Sequence, residues 1–372
     1  MVKLMLDGLR SGNYGDFEIH HVDARFSDTM AETGGSSFRK VARAFKYAFQ
    51  AIRFRIRYRA TTLYYVPAPP KFAAMARDWI VLGLCRPFFK NVIFHWHAVG
   101  LGDWTTSAEK SDDIKNRVAA FCNRLFHGNH NLSLVLTEWG KADVSVFTPK
   151  AMTVVGNGIP DPYPDFDSTL LARRRSRIGL LRSGTSTEPF IVAFLGHCTG
   201  GKGLWDAMRA VAGVNSKTLP RKLRMILRIA GEFPSDEDRR NFESLRAELT
   251  DQHILPKNWV DHIGFVGGSN KCHFLESADC LVFPTRYEAE SFGLVAAEAL
   301  AFGIPPVCSD WRMLPELMEP IGLPVASVGD PVSLADALAA AIGRDEPAQL
   351  RAAFLDRFTA EAHLKTLARS LS

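Results

Sequence analysis

The sequence predicts an α/β protein with two doubly wound domains that face each other across a cleft. Short apolar runs alternate with helical segments in both halves of the chain, which indicates repeated strand–helix–strand units. The clearest unit runs from an apolar strand at 281–283 through a polar loop and a helix at 294–302 to the next strand at 307–308. Gly303 and the following prolines end that helix. With 372 residues, 47% of them hydrophobic, the chain is long enough for two such domains.

Composition narrows the class of protein. No stretch approaches ~20 uninterrupted apolar residues, and the first seven residues lack the apolar core of a signal peptide. Six cysteines are scattered without a C-x-x-C pair, which favours buried thiols in a reducing cytoplasm over disulfides or zinc ligands. The net charge of +5 is modest, and no nucleic-acid-binding motif accompanies it. We therefore expect a cytoplasmic protein that does not bind nucleic acid.

Two carboxylates flank a predicted anion site in the 281–308 unit. Backbone N–H groups near Phe292, Gly293 and Leu294 point out of the helix start, where they favour phosphate. Glu290 precedes the helix and Glu298 lies within it. A carboxylate repels phosphate but accepts hydrogen bonds from the hydroxyl groups of ribose or of a sugar. The pattern predicts a nucleotide-sugar held by its diphosphate; the alternative is a pair of ordinary solvated acids.

This stretch resembles the signature of the retaining glycosyltransferases of family 4, which have the GT-B fold of two Rossmann-like domains. The resemblance rests on the run Glu290-Ser291-Phe292-Gly293-Leu294, on Glu298-Ala299, and on Gly303-Ile304-Pro305. It is strong over 190–316 and looser over 17–158. It implies that Glu290 contacts the donor sugar, that Glu298 holds the ribose hydroxyls, and that Ser291 belongs to the donor site.

A second loop, after the strand predicted at 190–195, carries small residues and Lys202, a combination suited to phosphate. It lacks the Gly-Lys-Ser/Thr ending of a P-loop. It resembles the family turn in which an arginine and a later lysine clamp the diphosphate, so that Gly201 and Lys202 match while His197 stands at the arginine position. Because histidine is fully charged only below neutral pH, we expect donor affinity that is weaker or pH-dependent.

Further site residues follow from position and from the resemblance. Two histidines, His95 and His97, come at the end of the strand predicted at 91–94, on the ligand-binding edge of a parallel sheet. The resemblance places a histidine near the donor sugar and acceptor, with His97 the better match and His95 the second choice; a structural histidine is the alternative. It also places Gly267 and Ser269 near the nucleotide base.

Neither a metal nor a separate cofactor is expected. The two histidines have no third ligand nearby in the sequence, and no Asp-x-Asp pair stands at a strand end. The nucleoside-diphosphate sugar is itself the donor substrate.

The resemblance also sets the expected domains. Residues 1–158 form an N-terminal acceptor-side domain, onto which 360–372 crosses back; 159–189 is a linker with a surface helix; and 190–359 is the nucleotide-sugar-binding domain.

The beginning of the chain departs from the family pattern. The family begins with a strand and a glycine-rich turn, whereas this sequence opens on a predicted helix at 2–10. We expect either that the true start lies upstream or that the N-terminal domain lacks its first strand. Alternation of apolar and polar residues predicts a strand at 17–22, and helical periodicity predicts one helix over 107–126.

Residues 38–59 form a predicted basic amphipathic helix. The segment holds eight Lys or Arg residues and no acid, with apolar residues at helical spacing. Such a helix is attracted to anionic membrane surfaces, which would make the protein peripheral on the inner face. The alternative is a domain helix with a solvated basic face. The membrane interpretation favours a lipid-linked or envelope-glycan acceptor, as in polysaccharide biosynthesis.

The predicted reaction is transfer of a glycosyl group with retention at the anomeric carbon. Lys202, His197 and the helix-start N–H groups would stabilise the leaving diphosphate. Two alternatives stay open: hydrolysis or epimerisation of a nucleotide-sugar, and a non-catalytic protein that binds a nucleotide-sugar or a membrane. A dehydrogenase is disfavoured because no G-x-G-x-x-G follows a strand.

Overall fold

The computed structural model describes residues 2–25, 38–216, 223–253 and 255–371. The chain divides into two compact units. The N-terminal unit comprises Met1–Gly156 with Leu364–Ser372, and the C-terminal unit comprises Asn157–His363. Each is an α/β unit built on a parallel sheet, so the predicted fold class is confirmed at this level.

The sheet of the N-terminal unit, as far as the chain is described, runs in sequence order. Its strands are β1 (Thr62–Tyr65), β2 (Asn91–Trp96), β3 (Asn131–Val135) and β4 (Ala151–Val154), and all their pairings are parallel. The helices of this unit are α1 (Val2–Arg10), α2 (Phe38–Tyr58), α3 (Phe72–Cys85), α4 (Leu101–Glu109), α5 (Ile114–Asn123) and α6 (Trp139–Ser145). Because right-handed crossovers join consecutive neighbouring strands, α3 to α6 lie on one face of the sheet.

The other face of this sheet is covered by α1 and by the end of the chain. Met5 and Leu9 of α1 share a buried cluster with Leu364 and Leu367, which packs on Ile93 and Leu134 of the sheet. The hydrophobic stripe of α1 therefore faces the sheet, and the C-terminal residues complete the core of the N-terminal unit.

Two secondary-structure predictions for this unit are wrong. Residues 17–22 form no strand; Phe17 and Ile19 instead pack against the cluster of α1, so their apolar side chains are satisfied without a strand partner. The single helix expected over 107–126 is broken at 110–113. There Asp113 caps α5 by accepting the N–H of Lys115 at 2.9 Å, and a capping Asp favours a new helix start.

The sheet of the C-terminal unit has the strand order of a doubly wound fold. Its strands are β5 (Phe190–Leu195), β6 (Met225–Ala230), β7 (Val260–Gly264), β8 (Cys280–Phe283), β9 (Pro306–Ser309) and β10 (Val325–Ala326), in the order β10-β9-β8-β5-β6-β7. The pairing of β5 with β8 begins at Val192 opposite Cys280. The direction of winding reverses between these two strands, and open sheets of this kind bind ligands outside that point.

Helices pack on both faces of this sheet. They are α7 (Leu171–Ser183), α8 (Leu204–Ser216), α9 (Asp236–His253), α10 (Ser269–Glu276), α11 (Leu294–Ala301), α12 (Leu314–Met318), α13 (Pro331–Ala341) and α14 (Pro347–Arg357). The last helix, α15 (Ala360–Leu371), contributes Leu364 and Leu367 to the core of the N-terminal unit. Short 3₁₀ or π-helical turns span Arg86–Phe88, Arg124–Phe126, Phe166–Leu170 and Glu319–Ile321. In the described part of the chain, none of the helices combines the length and the apolar character needed to cross a bilayer.

The stretch between the two sheets is tied to the C-terminal unit through α7. Arg174 is buried, and its guanidinium donates to the carbonyl groups of Leu275, Ala278 and Phe302. Arg177 donates to both carboxylate oxygens of Asp279 at 2.9 Å. A buried guanidinium is costly unless its donors are satisfied, so these bonds fix α7 to the sheet.

Candidate functional site

The loops that follow β5 and β8 come together at the reversal point of the C-terminal sheet. The N–H of Arg286 donates to the carbonyl of Gly201 at 2.9 Å, which joins the two loops directly. Gly203 has a φ of +78°, and a Cβ on it would lie 2.0 Å from the carbonyl oxygen of Pro284. Only glycine permits this approach, so the small residues of the first loop bring its backbone against the second.

Helix α11 begins at this junction. Gly293 is its N-cap with a φ of +73°, and a Cβ there would lie 3.0 Å from Leu314 and 3.1 Å from the ring of Phe283. The glycine lets the loop enter the helix tightly, with the first amides of the helix at the carboxyl edge of the sheet. These amides carry the partial positive charge of a helix N-terminus.

Lys202 and Glu290 meet at this helix start. Lys202 Nζ lies 2.7 Å from Glu290 Oε2, and the other carboxylate oxygen accepts the N–H of Gly293 at 3.2 Å. The ammonium also lies 4.7 Å from the ring centroid of Tyr287, within the range of a cation–π contact. Both side chains are largely shielded, with 22% of Lys202 and 12% of Glu290 exposed. The carboxylate thus binds two groups that are well suited to hold a phosphate.

A cavity of about 270 Å³ opens beside this pair. Phe194 and Phe283, from the ends of β5 and β8, contribute its apolar wall. The polar and backbone groups around it include Asn157, Gly196, His197, Lys202, Glu290 and Gly293. A concave site with an apolar wall and a few convergent polar groups is typical of a small-molecule site.

Glu298 lies further along α11, beside a second cavity of about 250 Å³. Its Oε1 accepts a hydrogen bond from Lys271 Nζ at 2.6 Å, and Pro160 and Phe302 complete part of the wall. Val295 lines the first cavity and stands three residues before Glu298, which puts both on one face of α11. The two cavities therefore follow the same helix face within one unit.

The remaining predicted donor-site residues have different surroundings. Ser291 and Leu294 line the first cavity, and His197 lies exposed at its edge. Phe292 also borders the cavity, but its ring is buried and lies edge-on to Phe358 with centroids 6.0 Å apart. The side chain of Phe292 therefore anchors the loop, and only its backbone is suited to meet a ligand.

Gly267 and Ser269, predicted near the nucleotide base, are exposed at the start of α10. The same helix carries Lys271, which connects this region to Glu298. Gly201 lies in the loop after β5, bonded to Arg286.

The predicted histidines belong to the N-terminal unit. His95 is buried at the end of β2, where its Nδ1 is hydrogen-bonded to the hydroxyl group of Tyr64. His97 follows the strand, partly exposed, with its ring centroid 4.2 Å from that of His95. Burial raises the pKa of the Tyr64 hydroxyl, so the phenol stays neutral at physiological pH. The first histidine is thus held by structure, and the second is partly exposed at the end of the strand.

Three contacts at these sites were missed by the sequence prediction. Tyr287 had a signal, since it stands in the loop between β8 and Glu290. Lys271 and Tyr64 had none, because they reach Glu298 and His95 from distant parts of the chain. Among the described residues, no group of three or more His, Cys, Asp or Glu side chains is placed to hold a metal ion.

Two parallel-sheet α/β units, with a cavity at the winding reversal of the second, are consistent with the GT-B class of fold. Residues 182–353 match the family described as Glycosyl transferases group 1, and they lie within the C-terminal unit. This match covers a little under half of the chain.

Relatives and solved structures agree with this class. An uncharacterized glycosyltransferase of Methanocaldococcus jannaschii is 34% identical over 178 residues, which cover 47% of this chain and 41% of the relative. The aligned part thus spans about two fifths of that relative's length.

Sucrose-phosphate synthase from Thermosynechococcus elongatus superposes with a TM-score of 0.63 and 16% identity, over 99% of this chain and 91% of the other. The HepE protein of Anabaena, in complex with UDP-glucose, superposes with a TM-score of 0.56 and 15% sequence identity. The superposition covers 87% of this chain and 81% of the other. Because the sequence identities are this low, the structural similarities are evidence for the fold alone. They confirm the fold as GT-B.

Proposed function

We propose that this protein is a retaining glycosyltransferase of family 4 that moves a sugar from a nucleoside-diphosphate sugar to a glycan or lipid-linked acceptor. One observation carries the proposal. Lys202 and the N-terminus of α11 lie together at the reversal point of the sheet, with Glu290 at the same junction and Glu298 further along the helix. The family match supports it, as does the similar fold of HepE, which was solved as a complex with UDP-glucose.

The donor diphosphate would bind where Glu290 now binds. Its negative oxygens suit the Lys202 ammonium and the Gly293 amide better than a carboxylate does, because a diphosphate brings more charge to the same two partners. Binding would displace Glu290 from both. The released carboxylate would then accept hydrogen bonds from the donor sugar, whose anomeric carbon is attached to the diphosphate.

The nucleoside would extend toward the second cavity. Glu298 would accept hydrogen bonds from the two ribose hydroxyls, in exchange for its contact with Lys271. Gly267 and Ser269, on the segment that leads into α10, would lie near the base. The order diphosphate, ribose, base then follows the face of α11 from its first turn onward.

In the transfer step, the bond between the anomeric carbon and the diphosphate oxygen breaks and a bond to an acceptor hydroxyl oxygen forms. The hydroxyl proton is released. Charge builds on the departing diphosphate, and Lys202 with the α11 amides stabilises it. His197, at the edge of the first cavity, would add a hydrogen-bond donor to the diphosphate. His97 would contact the sugar or the acceptor.

The proposal includes peripheral contact of residues 38–59 with an anionic membrane, which suits a lipid-linked acceptor. Helix α2 bears exposed phenylalanines among lysines and arginines.

A thermal-shift panel of nucleoside diphosphates and nucleotide-sugars tests the donor. A ligand that binds only the folded chain increases the free energy of unfolding by RT ln(1 + [L]/Kd) and so raises the melting temperature. The selected donor is then incubated with acceptor extracts, and products are separated by mass. We expect a glycosylated acceptor whose linkage has the donor's anomeric configuration.

Free sugar or a changed sugar from donor alone would instead indicate hydrolysis or epimerisation. Binding without any turnover, acceptor included, would indicate a non-catalytic nucleotide-sugar-binding protein. No stabilisation by any nucleotide would contradict the proposal.

A further inference from the structure

Helix α2 packs on its unit through alanines and leaves its large apolar side chains outside. Ala44 and Ala48 are fully buried in a cluster with Val81 and Cys85 of α3. The large apolar residues of α2 with exposed side chains are Phe38, Val41, Phe45, Phe49 and Ile56. A helix that buries small residues and exposes phenylalanines has a second apolar face that its own domain does not use.

Helix α5 has the same property. Ile114, Val118 and Phe121, spaced by four and three residues, are 78%, 46% and 67% exposed. They form one stripe along the helix. The opposite side is the buried one, through Ala119, Ala120 and Asn123.

The two helices belong to one layer of the N-terminal unit. Helix α3 stands between them, because α2 packs on it through Val81 and Cys85 while Trp79 donates to Asn123 of α5 at 2.8 Å. Phe88, just after α3, is also exposed, and its carbonyl accepts a hydrogen bond from Arg55 of α2 at 2.8 Å. We name the exposed apolar residues of α2 and α5, together with Phe88, the two-helix surface.

Charge decides what fits this surface. Neither α2 nor α5 contains an acidic residue and both carry basic residues, while the exposed Asp112 and Asp113 stand just before α5. At the end of α5, the Arg124 guanidinium lies 5.4 Å from the ring centroid of Phe121. Apolar side chains that stand among lysines and arginines match the boundary between acyl chains and anionic headgroups.

We propose that the N-terminal unit docks on an anionic bilayer through the whole two-helix surface, with α5 as a second insertion element beside α2. Two elements with separate apolar stripes fix the orientation of a unit on the membrane, which one helix alone does not. This deepens the lipid-linked acceptor class of the proposed function and rests on it only for the identity of the acceptor. Docking itself is measured without any donor.

Flotation of the full-length protein with vesicles tests the inference. Vesicles of phosphatidylcholine alone are compared with vesicles containing about one third phosphatidylglycerol. We expect binding to the anionic vesicles that falls as salt increases, because the lysines and arginines act over the Debye length. Binding that is equal on both vesicles would overturn the anionic preference.

Single substitutions separate the two helices. Phe49→Glu on α2 and Phe121→Glu on α5 are each expected to weaken vesicle binding by about tenfold or more, with Ile114→Glu as a second α5 variant. Val332→Glu is the matched control, because Val332 is 64% exposed on α13 of the C-terminal unit. Circular dichroism confirms that each variant is folded.

Full vesicle binding by both α5 variants would overturn the role of α5. A different outcome would overturn the membrane proposal: wild type does not bind vesicles but self-associates in light scattering, and Phe121→Glu does not self-associate. That result would show that a second copy of the chain covers the surface. Nucleotide binding by the same variants is expected to be unchanged. Docking and donor binding can therefore fail independently.

Discussion

Glu290 uses its two carboxylate oxygens to bind Lys202 and the N-terminus of α11 at the same time. Oε2 lies 2.7 Å from Lys202 Nζ, and Oε1 accepts the Gly293 amide at 3.2 Å. The two groups that would hold a donor diphosphate are therefore already joined by an internal anion. If a donor diphosphate binds these two groups, the Glu290 carboxylate competes with it, so removal of the carboxylate is expected to strengthen diphosphate binding rather than weaken it.

Glu290→Gln is expected to bind nucleoside diphosphates more tightly than wild type, by roughly three- to tenfold, or about 0.7–1.4 kcal/mol. The substitution removes the competing charge and keeps the size of the side chain. Transfer activity should fall in the same variant, because the sugar loses its carboxylate. Calorimetric titration with a nucleoside diphosphate, beside product formation from the sugar donor, measures both. Weaker diphosphate binding in this variant would show that Glu290 is not a competitor.

Lys202→Ala is expected to weaken the same titration by roughly tenfold to a hundredfold, since a hydrogen bond to a charged group contributes about 1.5–3 kcal/mol. Lys141→Ala is the control. Lys141 also forms a carboxylate pair, at 2.8 Å from Glu138, but in the N-terminal unit. Equal affinities of wild type and Lys202→Ala for the nucleoside diphosphate would show that the Lys202 ammonium does not contact the diphosphate.

Glu298→Ala is expected to abolish discrimination between ribose and deoxyribose. If Glu298 accepts hydrogen bonds from the ribose hydroxyls, wild type should prefer a ribonucleoside diphosphate over its 2′-deoxy form. The variant should bind both alike. Glu243→Ala, which removes an exposed pair with Arg246 on α9, is the control. Preserved discrimination in Glu298→Ala would place the ribose elsewhere.

The sequence could predict the elements that follow local rules. The strand at 190–195 was predicted with the bounds it has, because a buried parallel strand is a continuous apolar run between turn residues. The junction of the two loops also left local signals, in Gly203 and Gly293. The strand expected at 17–22 was wrong. Alternation of apolar and polar residues indicates only that one side of the segment is buried, and here the apolar side chains are buried by packing against the cluster of α1 without a strand partner.

Contacts between distant residues had no such signal. Lys271 meets Glu298 across 27 positions, and Glu290 meets Lys202 across 88. Spacing predicted that the two acids flank an anion site, but not that each would hold a lysine. The apolar stripe of α5 was not predicted, because the sequence was interpreted as one helix running through Asp113. In the structure Asp113 caps the start of α5, and the helix that begins there has different exposed and buried faces.

Gly203→Ala is expected to destabilise the protein by about 2 kcal/mol or more, since it adds a Cβ in left-handed backbone against the Pro284 carbonyl. Gly213→Ala is the matched control on α8, where nothing lies within 4 Å of the added carbon. That substitution should stabilise by about 0.5–1 kcal/mol. Thermal unfolding of both variants measures the contrast, and equal melting temperatures would contradict the close approach of the two loops.

Asp78 gives the N-terminal unit a pH-dependent stability. Its carboxylate accepts from the Tyr65 hydroxyl at 2.9 Å and from the Ala68 amide at 2.7 Å, and burial raises its pKa from 3.8 to about 6. Between these values the folded chain keeps a proton that the unfolded chain releases. The contribution of Asp78 to stability is therefore fully present below about pH 4 and is lost as the pH rises to about 6.

The free energy of unfolding of wild type minus that of Asp78→Asn should accordingly decrease from pH 4 to pH 6 and stay constant above. Chemical denaturation at fixed pH values, with hydrogen exchange to locate the signal near α3, measures this difference. A difference that is flat across the range would show that the carboxyl titrates normally.

The central claim is that a donor diphosphate replaces Glu290 on Lys202 and on the start of α11. A crystal structure of the complex with UDP or GDP, whichever stabilises the protein more, tests it most directly. We expect phosphate oxygens within hydrogen-bond distance of Lys202 Nζ and the Gly293 amide, the Glu290 carboxylate moved off both, and the ribose hydroxyls on Glu298. A nucleotide bound elsewhere, with the Lys202–Glu290 pair intact, would contradict the account.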